Sequence, residues 1–203
     1  MEKKKVGLMG GTFDPVHVAH LILAECAYRD FGLDEVIFIP NGDPPHKAGK
    51  QKSPASQRLE MLRIAVDKIP YFSVSDIEIG RSGYAYSSDT LDLLKAENPG
   101  TDYYFIMGGD SLFQIETWHE PAKVMASCHI LACVRGQEGR GQHEERAADL
   151  MSRYKADIAL MDIPALDISS SEIRERCRRG QSVRFMVPDG VDTYIAENGL
   201  YPV

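Results

Sequence analysis

No stretch of the 203-residue sequence approaches the ~20 consecutive apolar residues that a membrane-spanning helix needs, which excludes a helical membrane protein. Basic residues are in deficit: 23 Lys and Arg against 30 Asp and Glu leave a formal charge of −7. No basic stripe is visible, so a general nucleic-acid binder is not expected, although anionic small molecules can still be held by local positive groups. Cysteine is sparse and scattered. Cys26, Cys128, Cys133 and Cys177 form no C-x-x-C pair and have no histidines at zinc-finger spacing, so reduced, mostly buried thiols are expected rather than a metal or redox centre. There is one tryptophan, Trp118, and neither an internal repeat nor a low-complexity tract. The amino end, Met1-Glu2-Lys3-Lys4-Lys5, leads into a short apolar strand rather than a signal-peptide core, so a cytoplasmic chain is expected.

What is present has the composition of an ordinary globular protein, 43% hydrophobic and 26% charged, long enough for one continuous core. One domain over residues 1–203 is expected, with a helical part from about residue 165 to the end. Short apolar runs alternate with segments of helical period, the pattern of a parallel sheet covered by helices and so of the α/β class. Strands are expected at Val6 to Met9, Glu35 to Ile39, Phe72 to Ile79, Asp102 to Met107, His129 to Val134 and Asp157 to Asp162. Helices are expected after His17, from Pro54 with Ser53 as its cap, and over Ser88 to Glu97, His143 to Tyr154, Ser169 to Arg179 and Asp189 to Glu197. Two loops stand out, Asn41 to Lys52 and Gly136 to Gly141. Ligands of such sheets bind beyond the carboxyl ends of the strands, so chemistry is sought after Met9, Ile39, Met107 and Asp162.

After the first strand comes Gly10-Gly11-Thr12-Phe13-Asp14-Pro15-Val16-His17-Val18-Ala19-His20, which is neither the dinucleotide glycine fingerprint nor the P-loop. Paired glycines allow close backbone approach to a bulky anion. His17 and His20 stand three apart at a helix start, on one face, beside the positive end of the dipole and its open amides, a place suited to phosphate. Otherwise, one histidine caps and the other packs. Near the far end, Ile168-Ser169-Ser170-Ser171-Glu172-Ile173-Arg174 contains a capping box at Ser169 and Glu172 and a fixed positive charge at Arg174. That makes a second candidate anion site, or simply a capped surface helix.

The first string resembles the (T/H)xGH signature of the nucleotidyltransferase superfamily, and the second resembles its I-S-[ST]-x-x-x-R partner. Between them, Pro44-Pro45-His46-Lys47, Arg58-Leu59-Glu60-Met61-Leu62, Tyr86-Ser87-Ser88-Asp89-Thr90-Leu91 and Gly108-Gly109-Asp110-Ser111 with Trp118 resemble the blocks of bacterial nicotinate-mononucleotide adenylyltransferases, in order and over essentially the whole chain. Three positions depart from the family pattern: Ala19 replaces a glycine, and Ser87 and Ser171 stand where threonine is usual. The alanine adds only a methyl group and the serines keep their hydroxyls.

The resemblance implies a Rossmann-like doubly wound parallel sheet of nucleotidyltransferase type and transfer of the adenylyl group of ATP to nicotinate mononucleotide, with magnesium entering on the ATP phosphates and no protein metal site. It implies that His17, His20 and Arg174 are catalytic. ATP contacts are implied for Gly10, Gly11, Thr12, Phe13, Gly108, Asp110, Ser169 and Ser170 as well, and mononucleotide contacts for Lys47, Tyr86, Ser87, Thr90 and Trp118. Residue chemistry alone leaves other roles open: a solvated loop lysine at Lys47, a helix cap at Asp110, a core residue at Trp118. Competing functions are an adenylyltransferase for nicotinamide mononucleotide or phosphopantetheine, or a nucleotide-sensing module without turnover. A homo-oligomer is compatible with the sequence.

Overall fold

The computed structural model describes residues 3–42, 52–81, 83–135, 139–164 and 166–202. β1 (Lys4–Gly11) buries Val6, Gly7, Leu8 and Met9 consecutively, with no alternation, as a strand covered on both faces must. α1 (Val18–Asp30) leads to β2 (Glu35–Pro40), and α2 (Ala55–Val66) to β3 (Phe72–Val74). The chain then returns across the sheet through α3 (Ser87–Glu97) to β4 (Thr101–Gly108). α4 (Gly109–Gln114), a 3-10 turn at Ile115–Thr117 and α5 (Pro121–Ser127) connect to β5 (His129–Arg135), and α6 (Arg140–Tyr154) to β6 (Asp157–Ile163). α7 (Ser170–Arg178) and α8 (Val191–Glu197) follow.

The six strands are parallel in the order β3-β2-β1-β4-β5-β6. This is the doubly wound arrangement, with its topological switch between β1 and β4. Two apolar layers hold it. Leu23 and Ala24 of α1, Met61 and Leu62 of α2, Ile173 of α7 and Ile195 of α8 pack with Val36, Phe38, Ile106 and Met161 on one face. Leu91 of α3, Leu112 of α4, Val124 of α5 and Leu150 of α6 pack with Val6, Leu8, Met107 and Ile130 on the other. The carboxy-terminal helices thus share the layer of α1, which brings α7 to the end of the sheet where β1 terminates.

Several boundaries differ from the sequence expectation. β3 stops at Val74: after Ser75 N–H donates to Phe38 O at 2.9 Å, the chain turns, with Ile79 N–H on Asp76 O at 2.7 Å and Gly80 at φ 83°. The apolar residues at 77 and 79 therefore belong to a packed turn. Pro54, not Ser53, occupies the cap position of α2, because the Ser53 main chain is engaged by Asp14 and Arg58. α6 begins at Arg140, three residues before His143, and α8 at Val191 after Gly190 at φ 85°. The expected loop at Asn41 to Lys52 lies largely outside the described residues; of that at Gly136 to Gly141 only 136–138 do, and Arg140 and Gly141 already belong to α6.

Candidate active site

At the carboxyl end of β1 the chain turns inward. Phe13, a left-handed residue at φ 50°, is buried, its ring edge-on to His20 at 5.0 Å and to Phe38 at 5.9 Å. Phe13 is therefore the floor under an imidazole. His17 takes the extended cap conformation before α1, and its N–H donates to His20 Nδ1 at 3.2 Å while the two rings stack 3.6 Å apart. Because Nδ1 accepts, neutral His20 must carry its proton on Nε2, the ring's outer donor. Not every amide at this helix start is open, as the sequence had suggested: Val18 N–H is taken by Met186 O at 3.0 Å.

The serine-rich segment meets this turn directly. Ser169 caps α7, its Oγ accepting from Glu172 N–H at 3.1 Å; the Glu172 carboxylate lies 3.9 Å from Arg176. Ser170 Oγ donates to Pro15 O at 2.9 Å. Arg174 donates to Asp14 O at 2.7 Å and to Ser171 Oγ at 3.2 Å. Two motifs some 155 residues apart are thereby joined by hydrogen bonds.

Between them opens a cavity of about 530 Å³. It lies past the ends of β1, β2, β4 and β6, lined there by Met9 to Gly11, Ile39 and Asn41, Met107 and Gly108, and Ile163 with Leu166 to Ser170. His17, His20, Ser87, Thr90 and Trp118 complete the expected residues on its wall. Others stand apart. Thr12 faces the Arg58 guanidinium through its carbonyl, Arg174 turns toward Asp14, and Asp110 is exposed in the first turn of α4, where Ser111 reaches the cavity instead. Tyr86, next in sequence to the lining residue Ser87, is 36% exposed and stacked on His119 at 4.1 Å. Lys47 lies outside the described residues.

The backbone is tight where β4 ends. A Cβ on Gly109 would fall 2.5 Å from His143 Nε2 and 2.6 Å from Cys133 O, so the turn into α4 admits only glycine, whereas a Cβ on Gly108 would meet nothing within 4 Å. Trp118 is half-buried on the cavity wall, its ring edge-on to Phe105 at 5.6 Å. Below it, Thr90 Oγ1 donates to Glu78 Oε1 at 2.8 Å. Burial pushes the Glu78 carboxyl above the usual glutamate range, opposed by the Thr90 hydrogen bond and by Arg81. Gly42 packs against this residue so closely that a Cβ would lie 2.3 Å from Glu78 O.

Two contributors to the site had no role assigned from the sequence, although Arg58 stands in one of the family-like blocks. Arg58 is fully buried, its guanidinium donating to Thr12 O and Asn41 O, each at 2.8 Å, and to Ser53 O at 3.0 Å. Its position was a usable signal, since 58, 61, 62 and 65 form one helical stripe and an arginine on the stripe that buries Met61 and Leu62 must have internal acceptors. Tyr201 is the other. Its hydroxyl donates to Asp14 Oδ1 at 2.7 Å, a contact across 187 positions that no local pattern encodes.

The donors around the cavity are imidazoles, hydroxyls, main-chain amides and, one bond behind, a guanidinium, a set suited to phosphates. Among the described residues no group of three or more His, Cys, Asp or Glu side chains is placed to hold a metal ion, and no helix is long and apolar enough to cross a membrane.

The cytidylyltransferase-like family model matches residues 8–176. A probable nicotinate-nucleotide adenylyltransferase of Lachnoclostridium phytofermentans is 42% identical over 98% of this chain and 99% of its own length. One from Dehalococcoides mccartyi is 44% identical over 99% and 98%. The Plasmodium falciparum nicotinic acid mononucleotide adenylyltransferase complexed with NaAD superposes with a TM-score of 0.77 over 98% of this chain and 97% of that one, at 21% identity, which speaks for the fold. The chain belongs to the cytidylyltransferase-like nucleotidyltransferases and, within them, to the nicotinate-nucleotide adenylyltransferase family.

Proposed function

We propose that this chain transfers the adenylyl group of ATP to nicotinate mononucleotide, yielding nicotinate adenine dinucleotide and pyrophosphate for NAD synthesis. The observation that carries the reading is the hydrogen-bonded junction of Ser170 with Pro15 and Arg174 with Asp14, which puts the histidine pair and the serine-capped helix on one cavity. A mononucleotide phosphate oxygen attacks the α-phosphorus as the bond to the pyrophosphate oxygen breaks, so no enzyme nucleophile is required. The work left to the protein is alignment of two anions and neutralisation of developing charge.

In this reading His20 Nε2–H donates to the α-phosphate, His17 supports the neighbouring oxygens, and Arg174 with the start of α7 at Ser169 and Ser170 holds the β- and γ-phosphates. Gly10 and Gly11 let the nucleotide approach the β1 backbone, Thr12 and Phe13 shape that turn, and Gly108 opens the adenosine side, with Asp110 available to ribose hydroxyls. ATP arrives as its magnesium complex; the donor set suits phosphate oxygens, so the cation travels on the substrate. The pyridine ring stacks on Trp118, and its carboxylate faces the positive end of α3 at Ser87 and Thr90, with Tyr86 at the mouth and Lys47 on the mononucleotide phosphate. Homo-oligomerisation remains compatible with this arrangement.

The test is pyrophosphate release with nicotinate mononucleotide, nicotinamide mononucleotide and phosphopantetheine, each with ATP or CTP. The reading expects fast release only with ATP and the nicotinate form. Equal rates with acid and amide would remove the substrate specificity, and ATP binding without release from any acceptor would favour a sensing module.

A further inference from the structure

The segment Asp14–Val18 carries His17 and is gripped from the carboxy-terminal side at four points. Ser170 holds Pro15 O, Arg174 holds Asp14 O, Met186 O holds Val18 N–H, and Tyr201 Oη holds the Asp14 carboxylate. Asp14 is 3% exposed and Tyr201 8% exposed. Ser53 N–H also reaches that carboxylate, at 3.3 and 3.4 Å, longer than the 2.7 Å bond from the phenol. Tyr201 sits in the left-handed region at φ 58°, a conformation costly for an aromatic residue and retained where surrounding contacts over-determine it. Burial and the Asp14 charge push its hydroxyl above the usual tyrosine range, keeping it a donor at any working pH. Residue 201 also lies beyond the 8–176 span that the family model matches.

We propose that Tyr201 is a positioning residue for the triphosphate half of the site, acting through the Asp14 carboxylate to fix the main chain on which Arg174 docks and from which His17 projects. Its influence falls on the nucleotide and not on the mononucleotide pocket, whose walls at Ser87, Thr90 and Trp118 come from other elements. This inference rests on the adenylyl-transfer reading only for its kinetic arm.

The experiment compares wild type with Tyr201→Phe, which removes only the hydroxyl. The dissociation constant for α,β-methylene-ATP, a binding measurement that needs no acceptor, is expected to rise about tenfold, as loss of one hydrogen bond to a buried carboxylate implies. KM for ATP should rise in step and kcat fall, while KM for nicotinate mononucleotide stays within about twofold. Asp14→Asn, which keeps an acceptor for the phenol, should move the analogue affinity by less than Tyr201→Phe does. Unchanged analogue affinity with a lowered melting temperature would make Tyr201 merely structural and overturn the proposal, as would equal losses toward both substrates. If Tyr201→Phe fails to fold, hydrogen exchange on wild type decides. Bound analogue should slow exchange at Val18 and through α8 to Tyr201, and unaltered exchange there would overturn the proposal. Failure of wild type to make the dinucleotide, with analogue binding intact, would instead count against the functional reading alone.

Discussion

Arg58→Met keeps the length and apolar stem of a fully buried side chain and deletes the guanidinium that serves Thr12 O, Asn41 O and Ser53 O. None of these three acceptor residues is itself fully buried, so water can partly replace the lost donors. A net of roughly 1 kcal/mol for each bond, below the usual range for charged donors and typical of neutral ones, is therefore appropriate, and three bonds give about 3 kcal/mol. For a chain of this size that corresponds to a fall in melting temperature of roughly 6–12 °C. The kinetic consequence should be disproportionate, because Thr12 belongs to the turn between β1 and α1, and Asn41 lines the cavity. Circular dichroism melts and steady-state kinetics, run below the variant's transition, check both parts. A melting temperature within ~2 °C of wild type, the shift expected for well under 1 kcal/mol, would refute the reasoning that the guanidinium holds these segments together.

Three further outcomes follow from local geometry. Gly109→Ala, whose Cβ would meet Cys133 O at 2.6 Å, should cost about 2 kcal/mol by overpacking, visible as a lower denaturation midpoint with unchanged slope. Trp118→Ala should raise KM for nicotinate mononucleotide by about tenfold through loss of an aromatic face while leaving KM for ATP nearly unchanged, and a rise in both would contradict the assignment. Glu78 binds its proton more tightly folded than unfolded, so its stabilising contribution is complete below the ordinary glutamate value of 4.5 and is lost as pH rises through its elevated folded value. Glu78→Gln, which keeps an acceptor for Thr90, should therefore gain stability relative to wild type as pH increases from 4 toward 7; a constant difference across melts in that range would contradict the buried-carboxyl account.

The alternation of apolar runs and helical segments was enough to read a parallel sheet, because strands buried on both faces, such as Val6 to Met9, advertise themselves as unbroken apolar stretches. The carboxyl-end rule then located the cavity after four strands. α4 and α5 were not legible: at six and seven residues they are too short to display a helical period and owe their form to packing on β4 and β5. The extension of β3 to Ile79 failed for the opposite reason, since a turn whose apolar residues alternate in sequence, as Ile77 and Ile79 do, mimics a strand. At the site, His17, His20, Ser169 and Ser170 could be named because each sits in a compact motif, whereas Trp118 was pointed to by the family resemblance alone, its residue chemistry being equally that of a core side chain. Arg58 and Tyr201 act through main-chain carbonyls and a carboxylate far away in sequence, and such partners become visible only when the chain has folded.

The central claim is that His20, with its proton fixed on Nε2 by the His17 amide, stabilises charge at the α-phosphate. The most direct measurement follows label from [α-32P]ATP into the dinucleotide for wild type and His20→Ala, with α,β-methylene-ATP affinity and circular dichroism recorded on the same preparations. Loss of about 10²- to 10³-fold in kcat, with affinity and spectrum preserved, is the predicted result for removal of a transition-state donor. Turnover within a few-fold of wild type would contradict it.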